Sequence, residues 1–373
     1  MKVLILGVDG FIGHSLAHRI LTTTDWQVTG LDCAAKRIKP LLKYPQFSFR
    51  QDDLSICRDW IDAQIRASDV VLPLAACALP SEYIRNPIAI FELDFEENLR
   101  IVRQCFYSGK RVIFPSTSEV YGMCQDQNFN EETSPLVLGP ISKERWMYSC
   151  GKQMLDRVIW AYGSQGLQFT IFRPFNWFGP NLDDISSSGK GSARVVTQFL
   201  GHLLRGEPIY LVDGGQQRRC FTYIDDCIDA LMKILHNPGG VANHRIFNIG
   251  NPNNDLSIRE LALSIVSVLA KFPGWQHVLE TNDLRIESGS DYYGQGYQDV
   301  NARRPDITLA RTLLGWEPKV TMLEGLEKTI AYYLGREFQY SSPRLSNQDM
   351  VVAMEHSLES FVSTAASAKE ASA

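Results

Sequence analysis

The chain opens Lys2-Val3-Leu4-Ile5-Leu6-Gly7-Val8-Asp9-Gly10-Phe11-Ile12-Gly13, and this stretch sets the fold class. The apolar run through Leu6 is the pattern of a strand buried on both faces of a parallel sheet. Gly7, Gly10 and Gly13 follow at once, and a helical pattern runs from Phe11 to Ile20. The spacing is GxxGxxG, in the strand–turn–helix order that a dinucleotide site requires. The first glycine makes the tight turn, the second lets backbone approach a pyrophosphate, and the third lets helix pack on strand. Unpaired N–H groups and the helix dipole favour an anion there. Gly7, Gly10, Phe11, Ile12 and Gly13 are therefore candidate cofactor contacts.

Outward from that motif, Val28-Thr29-Gly30-Leu31-Asp32 reads as the second strand. Asp32 is placed to bind the adenosine ribose hydroxyls, and its charge repels a 2′-phosphate, which selects NAD over NADP. No Arg stands at Cys33 or Ala34, although Lys36 and Arg37 are near. Asp53 and Leu54, after the strand-like Phe47–Arg50, are expected to flank the adenine. Asp69 to Leu74 reads as a buried strand, with Leu74, Ala75 and Ala76 beside the cofactor. Strand and helix patterns alternate to about residue 175, which predicts a Rossmann-type, doubly wound parallel α/β sheet. A smaller C-terminal α/β substrate region is expected to follow. The expected division is a nucleotide-binding domain over 1–180 with later segments interleaved, a mainly substrate-binding region over 181–336, and a tail over 341–373.

A second constellation lies in Ser116-Thr117-Ser118-Glu119-Val120-Tyr121-Gly122 and Tyr148-Ser149-Cys150-Gly151-Lys152. Val112 to Ser116 reads as a strand whose C-terminal end delivers Thr117, Ser118 and Glu119 to the ligand crevice of an open α/β sheet. Met147 to Tyr162 reads as a helix, on which Tyr148 and Lys152 stand one turn apart on one face. An ammonium near a phenol favours the phenolate, so Lys152 is expected to lower the Tyr148 pKa and create a general base. The same two residues are counted among the cofactor contacts.

Later segments read as short strands at Pro208–Val212 and Arg245–Ile249. Capping signatures at Ser257/Glu260 and Thr321/Glu324 precede helices. Leu182 to Gly191 reads as a mobile loop, Met350 to Val362 as an amphipathic helix, and the last ten residues as disordered. The 373 residues carry a net charge of −5 with both signs interspersed, which argues against nucleic acid as the main partner. No apolar run approaches a membrane span, and no histidine or cysteine spacing suggests a metal. Eight scattered cysteines without a CxxC pair, in a chain whose first strand follows no secretory leader, read as reduced thiols of a cytoplasmic protein.

Over about residues 1–336 these features resemble the extended short-chain dehydrogenase/reductase superfamily, sugar-nucleotide branch. Longer stretches narrow the likeness: Phe91–Arg100, Phe114–Cys124, Phe172–Trp177, Asp213–Gly215, Arg219–Thr222 and Tyr292–Val300. These are similar to UDP-glucuronate decarboxylases that oxidise at carbon 4, specifically the dehydrogenase/decarboxylase domains of bifunctional aminoarabinose-pathway enzymes. The formyltransferase half is expected to be missing. The resemblance implies Tyr148 as base with Lys152 as its partner, Thr117 and Ser118 near carbons 4 to 6, and Glu119 beside the substrate carboxylate. It implies an acid role for Arg303, and contacts to UDP and sugar from Asn176, Arg194, Arg219 and Tyr297, with Tyr83 and Arg145 nearby. At Tyr210 the family often has Lys, so one contact departs from the pattern.

The implied reaction converts UDP-glucuronate, with NAD, to UDP-4-keto-pentose, with UDP-xylose as a further product. UDP-apiose/UDP-xylose synthases use two cysteines where this chain has Ala78 and Ser118, with Cys77 expected to point differently. A UDP-hexose 4-epimerase or an NAD(H)-sensing regulator could be built on the same scaffold. Glu119 with Arg303 speaks against the epimerase, and intact Tyr148, Lys152 and Thr117 against the regulator. A homodimer is expected, joined through helices near Phe91–Phe106 and Met147–Tyr162, with Ile101, Val102, Leu155 and Ile159 as the apolar face.

Overall fold

The computed structural model describes residues 1–186 and 190–335. The expectations for the tail over 341–373, with its helix at Met350–Val362 and its last ten residues, fall outside them. Seven parallel strands form the central sheet: β1 (Lys2–Leu6), β2 (Gln27–Asp32), β3 (Phe47–Gln51), β4 (Val70–Pro73), β5 (Arg111–Pro115), β6 (Phe169–Pro174) and β7 (Arg245–Ile249). Their order is β3-β2-β1-β4-β5-β6-β7. It reverses direction at β1/β4, the switch point where such sheets open a crevice at their carboxyl ends.

The apolar run of β1 serves two cores. Val3 and Ile5 join one buried layer, while Leu4 and Leu6 join the other. Helices α1 (Phe11–Thr23) and α6 (Ile224–His236) cover the first face through Leu16, Ile20, Cys227 and Leu231. Helices α2 (Arg58–Ala67), α3 (Asn98–Tyr107) and α4 (Trp146–Gly163) cover the second through Ile61, Ile65, Ile101, Val102, Leu155 and Ile159. This placement corrects one expectation. The four residues assigned to a dimer face are fully buried inside the protomer, because the apolar stripe of α3 and α4 faces the sheet.

The remaining helices used below are α5 (Val195–Arg205), α7 (Ile258–Leu269) and α8 (Met322–Tyr333). Ser257 and Glu260 form the reciprocal capping box at α7, and Thr321 accepts from the Glu324 amide at α8. Short strands stand apart from the main sheet. Arg218–Cys220 lies between Asp255–Ser257 and Ala302–Arg303, which brings Arg219 opposite Arg303. Ile209–Val212 pairs with Leu284–Glu287. In the stretch expected to be mobile, Leu182 is buried and Asp183 accepts from the Arg194 amide at the start of α5. No helix among the described residues is long and apolar enough to cross a membrane.

Candidate active site

The carboxyl ends of β1, β4, β5 and β6 open into a cavity of about 640 Å³, within the usual range for ligand sites. Its nucleotide end is made by Gly7, Gly10, Phe11, Ile12, Gly13, Leu74 and Ala76. Gly7 has φ +93°, and a Cβ there would lie 2.6 Å from the Ala75 nitrogen, so only glycine permits this turn against β4. A Cβ on Gly13 would lie 2.3 Å from the Gly7 carbonyl oxygen, which is the close helix–strand contact expected of the third glycine. Gly10 caps α1 without a side-chain hydrogen bond, and the first turn holds no acid. Backbone amides and the helix dipole there suit a diphosphate.

Asp32 stands at the end of β2 and accepts from the Asp9 and Ala34 amides. Buried Asp9, which sequence reasoning passed over, accepts from the amides of Lys36, Arg37 and Ile38 and so fixes the loop after Asp32. The Arg37 guanidinium donates to the carbonyls of Asp9 and Asn181, which engages it away from a role as a 2′-phosphate ligand. The site therefore fits NAD. Asp53, Leu54, Asp32 and Ala75 are not among the residues lining the cavity. Asp53 is exposed and accepts from Ser55, Leu54 is buried beside Cys57, and Ala75 meets the site through its contact with Gly7.

At the reacting end, the turn Ser118–Tyr121 follows β5, and the Thr117 hydroxyl accepts from the Glu119 amide. Tyr148 and Lys152 project from α4 into the same space. The rings of Tyr83 and Tyr148 stack 4.6 Å apart and 6° from parallel. Lys152 is buried, donates to the Pro115 carbonyl at 3.1 Å and lies 3.5 Å from an Asp94 oxygen. The expected effect of Lys152 on Tyr148 is not what results. Burial, then the charges of Asp94 and Glu119, hold the Tyr148 phenol well above its ordinary range. A lysine already paired with a buried aspartate has little field left to lower the pKa of a phenol.

Five largely buried ionic side chains from four stretches of the chain form the opposite end, where the sugar is expected. Glu119 pairs with Arg145 at 2.9 Å and with Arg303 at 3.2 Å. Asp299 pairs with Arg219 at 2.6 Å and lies 3.9 Å from Arg145. Burial alone would raise both carboxyls, but the arginines outweigh it and hold both below their ordinary values. Three guanidiniums face two carboxylates. The surplus falls on Arg303, whose pKa is pulled down by burial and by Arg219 while that of Arg145 is raised by Glu119 and Asp299; the Nε atoms of both have no hydrogen-bond partner among the described residues.

Tyr297 stacks on Tyr293 at 4.3 Å, Asn176 adopts φ 42° beside the cavity, and Lys190 lies 4.9 Å over the Tyr210 ring. Arg194 lines the cavity mouth, with its guanidinium on Asp183 and the Leu182 carbonyl. Cys77, expected to point elsewhere, also lines the cavity together with Ala78 and Ser118, and burial raises its thiol pKa. Asp94 and Asp299 are site residues to which sequence reasoning assigned no role, although both lie in stretches that carried the resemblance. Among the described residues, no group of three or more His, Cys, Asp or Glu side chains could hold a metal ion.

Residues 3–250 match the family described as NAD dependent epimerase/dehydratase. The chain is similar to the crystal structure of PbgP3 protein from Burkholderia pseudomallei, with 49% identity, a TM-score of 0.81, and 90% of this chain and 96% of that one covered. It shares its fold with UDP-glucuronic acid 4-epimerase from Bacillus cereus in complex with UDP-glucuronic acid and NAD, at 22% identity, TM-score 0.69, covering 90% and 99%. The dTDP-glucose 4,6-dehydratase from Bacillus anthracis in complex with NAD, at 21% identity, TM-score 0.72, covering 90% and 97%, shows the same fold.

Proposed function

Because the chain belongs to the NAD dependent epimerase/dehydratase family, we propose that it catalyses the NAD-dependent oxidative decarboxylation of UDP-glucuronate to UDP-4-keto-pentose. The observation that carries this reading is the buried, under-neutralised Arg303 paired with Glu119, which stands two residues after Thr117, in the cavity that Tyr148 also lines. A buried cation with an unpaired donor favours an anionic group on the substrate. A uronate carries one on the carbon adjacent to the one that is oxidised.

Gly7, Gly10, Phe11, Ile12 and Asp32 would hold the cofactor, and NAD, when bound, supplies the acceptor for the hydride leaving carbon 4. Tyr148 would take the proton of the 4-hydroxyl once the positive charge of bound NAD offsets the Asp94 and Glu119 charges that hold its phenol high, with Thr117 and Ser118 holding the same oxygen. The ketone at carbon 4 lies β to the carboxylate on carbon 5. Carbon dioxide leaves with the C–C electron pair passing into the ketone as an enolate. Donors around that oxygen stabilise the enolate, and carbon 5 is then protonated, with Arg303 and Glu119 beside it. Return of the hydride instead of release of the ketone gives UDP-xylose.

NMR of the products from UDP-glucuronate and NAD, with carbon dioxide and NADH both counted, tests the reading. Equal amounts of UDP-4-keto-pentose, carbon dioxide and NADH are expected. Unchanged UDP-glucuronate alongside interconversion of UDP-glucose and UDP-galactose would replace it with a 4-epimerase. Sustained UDP-xylose formation without NADH would make the protein a closed-cycle synthase. The protein is further proposed to be a homodimer. The stripe available for pairing is the outer face of α4, where Cys150, Met154 and Ala161 are exposed. A monomer in sedimentation at micromolar concentration would remove that proposal.

A further inference from the structure

We infer that Asp94 is a positioning residue of the base, holding Lys152 beneath Tyr148 and setting the pH at which Tyr148 accepts a proton. The inference rests on Tyr148 being the base, as proposed above. Asp94 sits in a single π-helical turn, Glu92–Glu97, that leads directly into α3. Such turns place an extra residue in one helical repeat and recur at functional sites. The residue is 1% exposed. One oxygen accepts from the Cys77 amide at 3.2 Å. The other has no hydrogen bond among the described residues and lies 3.5 Å from the Lys152 ammonium. An apolar side chain would serve packing there at far lower cost, since an ionised carboxylate in such a place needs a paired cation.

The groups around the phenol come from every neighbouring element. Tyr83 stacks on it from the short helix Pro80–Arg85, and Thr117 and Glu119 approach from the turn after β5. Cys77 comes from the segment after β4, Asp94 from the π turn, and Lys152 from the base's own helix. Asp156, one turn further along α4, also acts on Lys152 but is itself committed to Arg173 at 3.0 Å and to the Ser116 hydroxyl. Glu119 is likewise committed to Arg145 and Arg303. Asp94 is therefore the carboxylate whose charge is shared between Lys152 and Tyr148. With Asp94 ionised, the ammonium is held in place but its field at the phenol is offset. Without that charge the same ammonium would favour the phenolate.

The test is a tyrosinate titration by ultraviolet difference absorbance in the presence of saturating NAD, with Tyr148→Phe as the blank, so that no assumption about the sugar substrate enters. Asp94→Asn keeps an acceptor for the Cys77 amide and removes the charge. Its Tyr148 midpoint is expected to fall by about one pH unit or more, the usual size of a neighbouring-charge effect. A folded Asp94→Asn protein with an unmoved midpoint would overturn the inference, since a purely structural aspartate would not move it. Should that variant fail to fold, Lys152→Met and Lys152→Met/Asp94→Asn carry the same test. The double variant must titrate lower than the single, and equal midpoints would overturn the inference. Failure of the proposed decarboxylation, by contrast, would leave this titration unchanged.

Discussion

The two ends of the cavity are built by different means. The nucleotide end is made mainly of backbone: a positive-φ glycine turn, an unblocked helix start and one carboxylate within the first 32 residues, closed by Leu74 and Ala76 after β4. The sugar end is made of side-chain charge: Glu119, Arg145, Arg219, Asp299 and Arg303, brought together from turns, a helix start and short strands. Backbone recognition costs little desolvation, because the amides at a helix start are unpaired in any case. Buried charge is expensive and tolerable only when nearly balanced. The nucleotide end is thus a local property of the chain, while the sugar end exists only in the folded protein and is coupled to its stability.

The largest expected effect lies where the two ends meet. Tyr148→Phe should lower turnover by roughly 10²–10⁴-fold, the usual contribution of a general base, while UDP-sugar binding measured by calorimetry survives. A loss under about tenfold would move the base elsewhere.

Next in size is a break in the sugar end. Glu119→Gln leaves Arg145 and Arg303 buried without their shared anion, so a loss of about 3 kcal/mol is expected together with a fall in activity. The sign of its pH dependence follows from the depressed Glu119 value. Its stabilisation is present above the ordinary carboxylate range and is lost as pH falls through the folded value. Melting curves at pH 7 and at acid pH should therefore differ more for the parent protein than for the variant. Equal acid sensitivity would show that the cluster is not coupled to folding.

The nucleotide end should respond mainly in affinity. Asp32→Ala removes a charged acceptor of the ribose hydroxyls, worth on the order of tenfold in NAD affinity, and narrows the preference over NADP. A smaller drop in melting temperature without cofactor than Glu119→Gln produces, from the lost acceptors of the Asp9 and Ala34 amides, together with weaker NAD binding, would set this end apart.

The smallest effect lies behind the site. Glu131 accepts from the Asn248 amide, and burial raises its carboxyl from 4.5 to about 7. Between those values the folded protein keeps a proton that the unfolded chain releases, so stability falls as pH rises through that window and stays reduced above it. Glu131→Gln keeps the acceptor and removes the penalty, so it should raise the melting temperature by a few degrees at pH 8 and change little at pH 4. No gain at pH 8 would show that the penalty is relieved by local opening.

Residue order alone was enough to read the strand–turn–helix at the nucleotide end and to name most of the side chains that line the cavity. An apolar run, GxxGxxG and Asp32 lie close together in the chain, and their meaning depends on strand and helix periods alone. Tyr148 and Lys152 stand one helical turn apart on one face for the same reason. What those groups do to one another was settled by tertiary packing. It placed Asp94 against Lys152 and left the Tyr148 phenol raised, although spacing alone pointed to a lowered value. It turned Ile101, Val102, Leu155 and Ile159 into the protomer's own core, because an apolar helix stripe does not itself say whether a sheet or a second subunit will cover it. It also set Arg219 opposite Arg303 across paired short strands and left Arg303 under-neutralised. Charge balance in a buried site is a sum over neighbours distant in sequence, and no local period encodes it.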